Sequence, residues 1–226
     1  MVPMQKAHAG LRFLLLVLLA LAGACGHTYR SGRGGGRAAR PPREPAPKDV
    51  DWLEDVTIPP YLALLDRATQ LEVAEALRDL DHEDFKEFSG GMRRIVAIGE
   101  PVVPYLGFAG DERARRNPAE GFAKSCVVIL LEPILDEVPS DHIGLHLEST
   151  YACVRIAAAE VAGESRQTEH ARKLVGLLDD PEIEVRRAAI VSLRQLSNRF
   201  FGYRPSDSSR RRREAVDNWR SFWGLE

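Results

Sequence analysis

Apolar residues recur along residues 51–226 at the three-to-four spacing of helices. Two segments align without a gap over five positions, four of them identical. Val154-Arg155-Ile156-Ala157-Ala158 is followed 31 residues later by Val185-Arg186-Arg187-Ala188-Ala189. Each block opens an alanine-rich helix, one running to Val161 and the other to Leu196. Between them, Thr168–Leu178 reads as another helix, with Leu174, Leu177 and Leu178 on one face. Asp179-Asp180-Pro181 reads as a turn, with acids suited to N-caps and a proline suited to a first helical turn. The unit is thus helix, turn, helix, with small alanines where the two helices approach. One such pair cannot cover its own apolar face, but stacked neighbours can.

The rest of the helical region is less regular. Residues 51–81 read as an N-terminal cap, with Pro59-Pro60 opening a helix that continues through Leu62, Leu65, Leu71, Val73 and Leu77. Gly99 suits a left-handed helix end, and Pro101 suits the first turn of the next helix. Phe122–Leu131 is apolar nearly all round and is expected to be the most buried helix. Residues 107–117 and 136–150 are rich in Gly, Asp and Pro and read as irregular.

The first fifty residues follow other rules. Lys6 and Arg12 precede an apolar run from Phe13 to Ala22. Ten helical residues span about 15 Å, half the apolar thickness of a bilayer. The run therefore suits the core of a signal peptide rather than a transmembrane helix. Residues 26–50 are dominated by Gly, Pro and Arg without apolar periodicity, which predicts a flexible tether. Arg30, Arg33, Arg37, Arg40 and Arg43 read first as a solvated spacer, and second as contacts to anionic headgroups.

Composition sharpens this division. The chain has 31 basic and 33 acidic residues; eight basic and two acidic residues lie in the first fifty, so residues 51–226 carry a net charge of −8. Sparse aromatics and abundant Ala, Leu, Val, Arg and Glu favour helices over a β-sandwich. An acidic folded part behind an export signal disfavours nucleic acid as a partner.

Four stretches resemble known families. Residues 174–196, LVGLLDDPEIEVRRAAIVSLRQL, resemble a short bacterial HEAT repeat, matching at Leu174, Leu177, Leu178, Asp180, Val185, Arg186, Ala188, Ala189 and Leu193. Residues 94–106 resemble the junction of one such repeat with the next. The C-terminal Phe201-Gly202-Tyr203-Arg204-Pro205 loop and the helix ending Trp219-Arg220-Ser221-Phe222-Trp223 are similar to the ends of some bacterial HEAT proteins. Leu21-Ala22-Gly23-Ala24-Cys25 resembles the lipobox of bacterial lipoproteins, with Ala22 where leucine is usual. The alternative is an ordinary secretory signal cut after Ala24.

These resemblances imply an all-α chain. Residues 1–24 would be a lipoprotein signal peptide, 25–50 a tether lipidated at Cys25, and 51–226 a short HEAT-like α-solenoid with a C-terminal capping helix. They imply attachment to a bacterial membrane, with Gly26 after the cysteine leaning toward the outer one. They also imply that Arg155 and Arg186 are structural, each bridging to a turn acid of an adjacent repeat. The function implied is non-catalytic protein binding or scaffolding in the cell envelope, with a protein or peptide partner. The alternatives are a HEAT-like enzyme of the lyase type and a purely structural envelope protein.

Candidate chemistry is thin. His142-x-x-x-His146 has the spacing of a helical metal pair, with Asp141, Glu148 or Cys153 as a third ligand. Gly144 and Pro139 argue instead for a solvated loop. Cys126 and Cys153 sit in apolar helices, as small hydrophobes or, after export, as a disulfide. Arg210–Arg213 read as a solvated face ahead of an anion site. Asp179, Asp180, Glu182 and Glu184 read as exposed turn acids ahead of acid–base catalysts. Val216, Trp219, Phe222 and Trp223 share one helical face. They read first as a cap over the last repeat, and second, with Tyr203, as an aromatic partner surface. No phosphate loop or nucleophile pattern stands out, so no catalytic residue, cofactor or metal is expected.

Overall fold

Contacts divide the chain after Asp51. The structure, a computed structural model, describes residues 51–80, 85–116 and 121–225. Among these residues there are nine α-helices, four short 3-10 turns and no strand, so the chain is all-α as its apolar spacing predicts. No helix among them is long and apolar enough to cross a membrane.

The first helix begins later than the sequence suggests. Pro59-Pro60 stand at a turn, and α1 spans Arg67–Asp79. Asp66 is the reason. Its carboxylate accepts from the Thr69 amide at 3.0 Å and the Thr69 hydroxyl at 2.8 Å, satisfying an orphan donor at the positive end of the helix. Leu64, upstream of this cap, is 68% exposed.

The helices then follow in pairs. α2 (Phe85–Ile98) packs on α1, and α3 (Val103–Arg116) packs on α4 (Gly121–Leu135). α5 (Ser140–His146) packs on α6 (Ala152–Glu164), and α7 (Ala171–Gly176) packs on α8 (Ile183–Ser197). The second helix of each pair also touches the second helix of the next: α2 on α4, α4 on α6, α6 on α8. α9 (Ser209–Phe222) lies over α7 and the Leu177–Asp179 turn that prolongs it.

Small residues set these contacts. Ten of the thirteen residues of α6 are buried, while the burial expected of Phe122–Leu131 falls partly on side chains outside the description. α6 packs against α3, α4, α5 and α8 at once. In the other segment Val127, Val128, Leu130 and Leu131 are buried, and the side chains of residues 121–126 lie outside the description. Gly163 brings α6 against α8: a Cβ there would stand 2.7 Å from the Ser192 Cα. Ser192 itself donates across to the Ala159 carbonyl at 2.6 Å.

Of the two stretches that read as irregular, 107–117 is almost wholly helical, in α3, and 136–150 carries the short helix α5 between turns. Their glycines mark close approach rather than breaks. A Cβ on Gly107 would stand 2.6 Å from the Tyr151 ring, and one on Gly110 would stand 3.0 Å from Cys153 Sγ. One on Gly144 would stand 3.0 Å from the His170 ring. Gly99 is a conformational glycine of the expected kind, with φ 75° at the end of α2 and Pro101 in the 3-10 turn that follows.

Adjacent glycines of α2 give opposite expectations. A Cβ on Gly90 meets nothing within 4 Å, whereas one on Gly91 lies 2.7 Å from the Ala76 carbonyl oxygen. Gly90→Ala should stabilise the fold by up to about 1 kcal/mol through helix propensity and a less entropic unfolded chain. Gly91→Ala should instead lose about 1–3 kcal/mol by overpacking α2 against the α1 backbone. Chemical denaturation of the two variants measures this, and equal shifts would reject the packing of α1 on α2.

Candidate functional site

Asp180 is the first point where distant segments meet. It was expected as an exposed turn acid, but it is 8% exposed, because Arg155 of α6 covers it. Arg155 Nε donates to Oδ2 at 2.8 Å and Nη2 donates to Oδ1 at 3.1 Å. The Glu182 amide donates to Oδ1 at 2.8 Å, so the same carboxylate starts α8. Arg155 Nη1 holds the carbonyls of Ser149 and Thr150 at 2.8 and 3.1 Å. Arg186 repeats this with the carbonyls of Asp180 and Pro181, at 2.6 and 2.8 Å. The two arginines differ at their second edge. Arg186 Nε meets the Pro205 carbonyl at 3.0 Å, not a carboxylate.

The second cluster surrounds Glu100. His142 and His146 lie on α5 rather than in a solvated loop, and His146 is 1% exposed. Glu100, in the 3-10 turn between α2 and α3, reaches both. His142 Nδ1 lies 2.9 Å from each carboxylate oxygen, and His146 Nε2 lies 2.9 Å from Oε1. The Tyr61 hydroxyl lies 3.3 Å from His146 Nδ1, and its ring packs against both imidazoles.

An ionised Glu100 only accepts, so the ring nitrogens facing it carry protons. His146 Nδ1 is then left to accept from Tyr61 O–H. The hydrogen bond to Glu100 raises the His142 pKa, while burial holds that of His146 below its ordinary value. Burial, and then the Glu100 charge, push the Tyr61 hydroxyl up to about 12. The spacing of His142 and His146 signals the pair but not Glu100, which lies more than forty positions from either histidine.

Of the third ligands considered from the sequence, Glu148 and Cys153 take no part in this cluster, while the Asp141 charge adds to the rise in the His142 pKa. Glu148 pairs with Lys173 at 2.8 Å, and the buried Cys153 thiol faces the Gly107 carbonyl at 3.3 Å. No group of His, Cys, Asp and Glu among the described residues is arranged to hold a metal ion. His170 is a further buried histidine that the sequence did not single out; its Nε2 lies 2.7 Å from the Ser140 carbonyl.

The third cluster is acidic. Glu132 of α4 and Glu160 of α6 are hydrogen-bonded to one another, with the Glu164 charge nearby. Burial and then Glu132 push the Glu160 carboxyl up to about 8, and Glu132 is raised as well, chiefly by burial. At neutral pH the pair therefore holds one proton, which Glu160 donates to Glu132. Lone acids on otherwise apolar helices are the signal that could have found this pair.

The C-terminal aromatics are mostly inside. Tyr203 is 3% and Trp219 0% exposed, which removes both from any partner surface. The Tyr203 hydroxyl donates to the Leu178 carbonyl, and Phe201 packs edge-on against Trp219 at 4.7 Å. Trp223 is half-buried, and the exposed aromatics there are Phe200 and Phe222. Arg210, Arg211 and Arg213 face solvent, while Arg212 donates to the Asp207 carbonyl at 2.6 Å. Cys25 and the Cys126 side chain lie outside the described residues.

The chain matches no protein-family model, no curated protein and no solved structure.

The acid pair carries a pH signature. Native Glu160 keeps a proton up to about pH 8 that an ordinary carboxyl releases near 4.5. Its contribution to stability is therefore full below pH 4.5 and lost as pH rises to about 8. Glu160→Gln imitates the protonated acid. It should leave the Tm unchanged near pH 4.5 and raise it at pH 8. Parallel wild-type and variant curves across that range would remove the shared proton.

Proposed function

We propose that residues 51–226 are a short HEAT-like solenoid, closed by α9, that serves as a non-catalytic protein-binding or scaffolding module of the bacterial cell envelope. The observation that carries this reading is the order of contacts. α2, α4, α6 and α8 touch in succession, and Arg155 and Arg186 make the same carbonyl clamp 31 residues apart. Such a stack offers one extended face built from equivalent positions of successive helices, a shape suited to extended protein partners. Glu160 and Val191 are equivalent in this sense, as are Glu164 and Gln195.

The densest titratable cluster supports a structural use of its residues. Tyr61, His142 and His146 all direct their hydrogen bonds at Glu100 or at one another. The net charge of −8 over residues 51–226 supports a partner with basic segments. Lipid on Cys25 would keep the module at a membrane through more than one acyl chain, each buried methylene contributing about 0.8 kcal/mol.

Two measurements test this reading. Cys25→Ser should move the protein from the membrane to the soluble fraction, and retention in membranes would reject the anchor. Cross-linking in intact cells, followed by isolation from detergent-solubilised envelopes, should recover one protein partner reproducibly. A chain recovered without a partner would reject the binding role.

A further inference from the structure

An open groove of about 570 Å³ lies where the turn after α6 meets the last turns of α8. Arg166, Val191, Arg194, Gln195 and Asn198 line it. In a region of net charge −8, this lining holds two arginines and no carboxylate. We infer that the groove binds a single carboxylate of a peptide, between the Arg166 and Arg194 guanidiniums, with an apolar neighbour of that carboxylate resting on Val191. The inference rests on the binding role proposed above and gives the chemistry of one part of the partner.

The backbone is shaped for this. Arg166 and Asn198 are the two non-glycine residues with left-handed backbone among those described, at φ 56° and 54°, and both line the groove. They occupy corresponding turns, one just after α6 and one just after α8. Asparagine tolerates that conformation. Arginine does so at a cost that glycine would avoid. What arginine adds is a guanidinium over the groove, and one of its donors already reaches the Gln195 carbonyl.

Arg194 is oriented differently. Its guanidinium carbon lies over the Phe200 ring, 4.9 Å from the centroid. Among the described residues its side chain has no hydrogen-bond acceptor, so its donors remain available to a planar carboxylate. Val191 is 49% exposed and Phe200 58%, so apolar surface flanks both cations. Glu164, at the end of the helix that precedes Arg166, repels an extended polyanion. That favours one discrete carboxylate over a nucleic acid or an anionic lipid surface.

The test uses the full chain in detergent with a fluorescein-labelled hexapeptide of alternating Leu and Glu. The controls are the Leu and Gln counterpart with an amidated end, and vesicles of phosphatidylglycerol. The Glu peptide should bind at least about tenfold tighter than the Gln peptide, as a charge-assisted guanidinium–carboxylate contact requires. Arg194→Gln should remove that preference. Arg211→Gln, an exposed position on α9 outside the groove, should keep it.

Arg166→Gln also loses a contact to the α8 carbonyl, so its melting curve is recorded alongside, and Arg194→Gln decides if that variant unfolds. Equal binding of the two peptides, or an Arg194→Gln chain that still prefers the Glu peptide, overturns the inference. So does vesicle binding that exceeds peptide binding and is lost in Arg194→Gln. If Arg194→Gln still captures the envelope partner, the groove assignment falls and the binding role stands. If the wild-type chain captures none, the binding role itself falls.

Discussion

Asp180 ties together the C-terminal part of this fold. One carboxylate receives the Arg155 guanidinium from α6 and the Glu182 amide at the start of α8. Its own carbonyl receives Arg186, which in turn reaches Pro205 in the segment leading to α9. α6, α8 and the segment leading to α9 are therefore fixed by reference to a single turn. Both partners of the ion pair are largely withdrawn from water, so each is costly without the other. Removing one partner of such a buried pair destabilises by about 3–5 kcal/mol, much of it the penalty of stranding the remaining charge.

Close backbone approach is the second constraint. Gly91, Gly107, Gly110 and Gly163 each stand where a methyl group would collide with a neighbouring helix. Ala157, Ala158, Ala159 and Ala189 are fully buried along the same contacts. Small side chains let one row of second helices pack continuously, which brings Glu132 of α4 against Glu160 of α6. The proton shared by those acids is thus a product of packing, since two carboxylates forced together in a desolvated contact cannot both ionise.

The repeat was legible because its signal is local. Val154-Arg155 and Val185-Arg186 announce equivalent helix starts, and both arginines hold the carbonyls five and six residues before them. Glycine misled in α3 and α5, because a helix breaker and a close helix contact have the same letter. Gly107 and Gly144 are identified as contacts only by Tyr151 and His170, which come from other segments of the chain. His146 read as solvated for a similar reason: its partners Glu100 and Tyr61 are brought to it by tertiary structure. Trp219 read correctly as a helix-face aromatic, while its depth depends on Phe201 and α7 covering it.

The row of second helices also sets how the molecule comes apart. α6 touches partners on both sides, whereas α1 joins the rest chiefly through α2, and α2 through α4. In such a nearest-neighbour array cooperativity decays with distance, and end units open independently of the middle. Amide protons of α6 and α8 would exchange only in global opening, while those of the first pair exchange through fraying. Force applied at the N-terminal end of these residues would therefore open the first helix pair before the rest, leaving the Asp180 turn and the face around it intact.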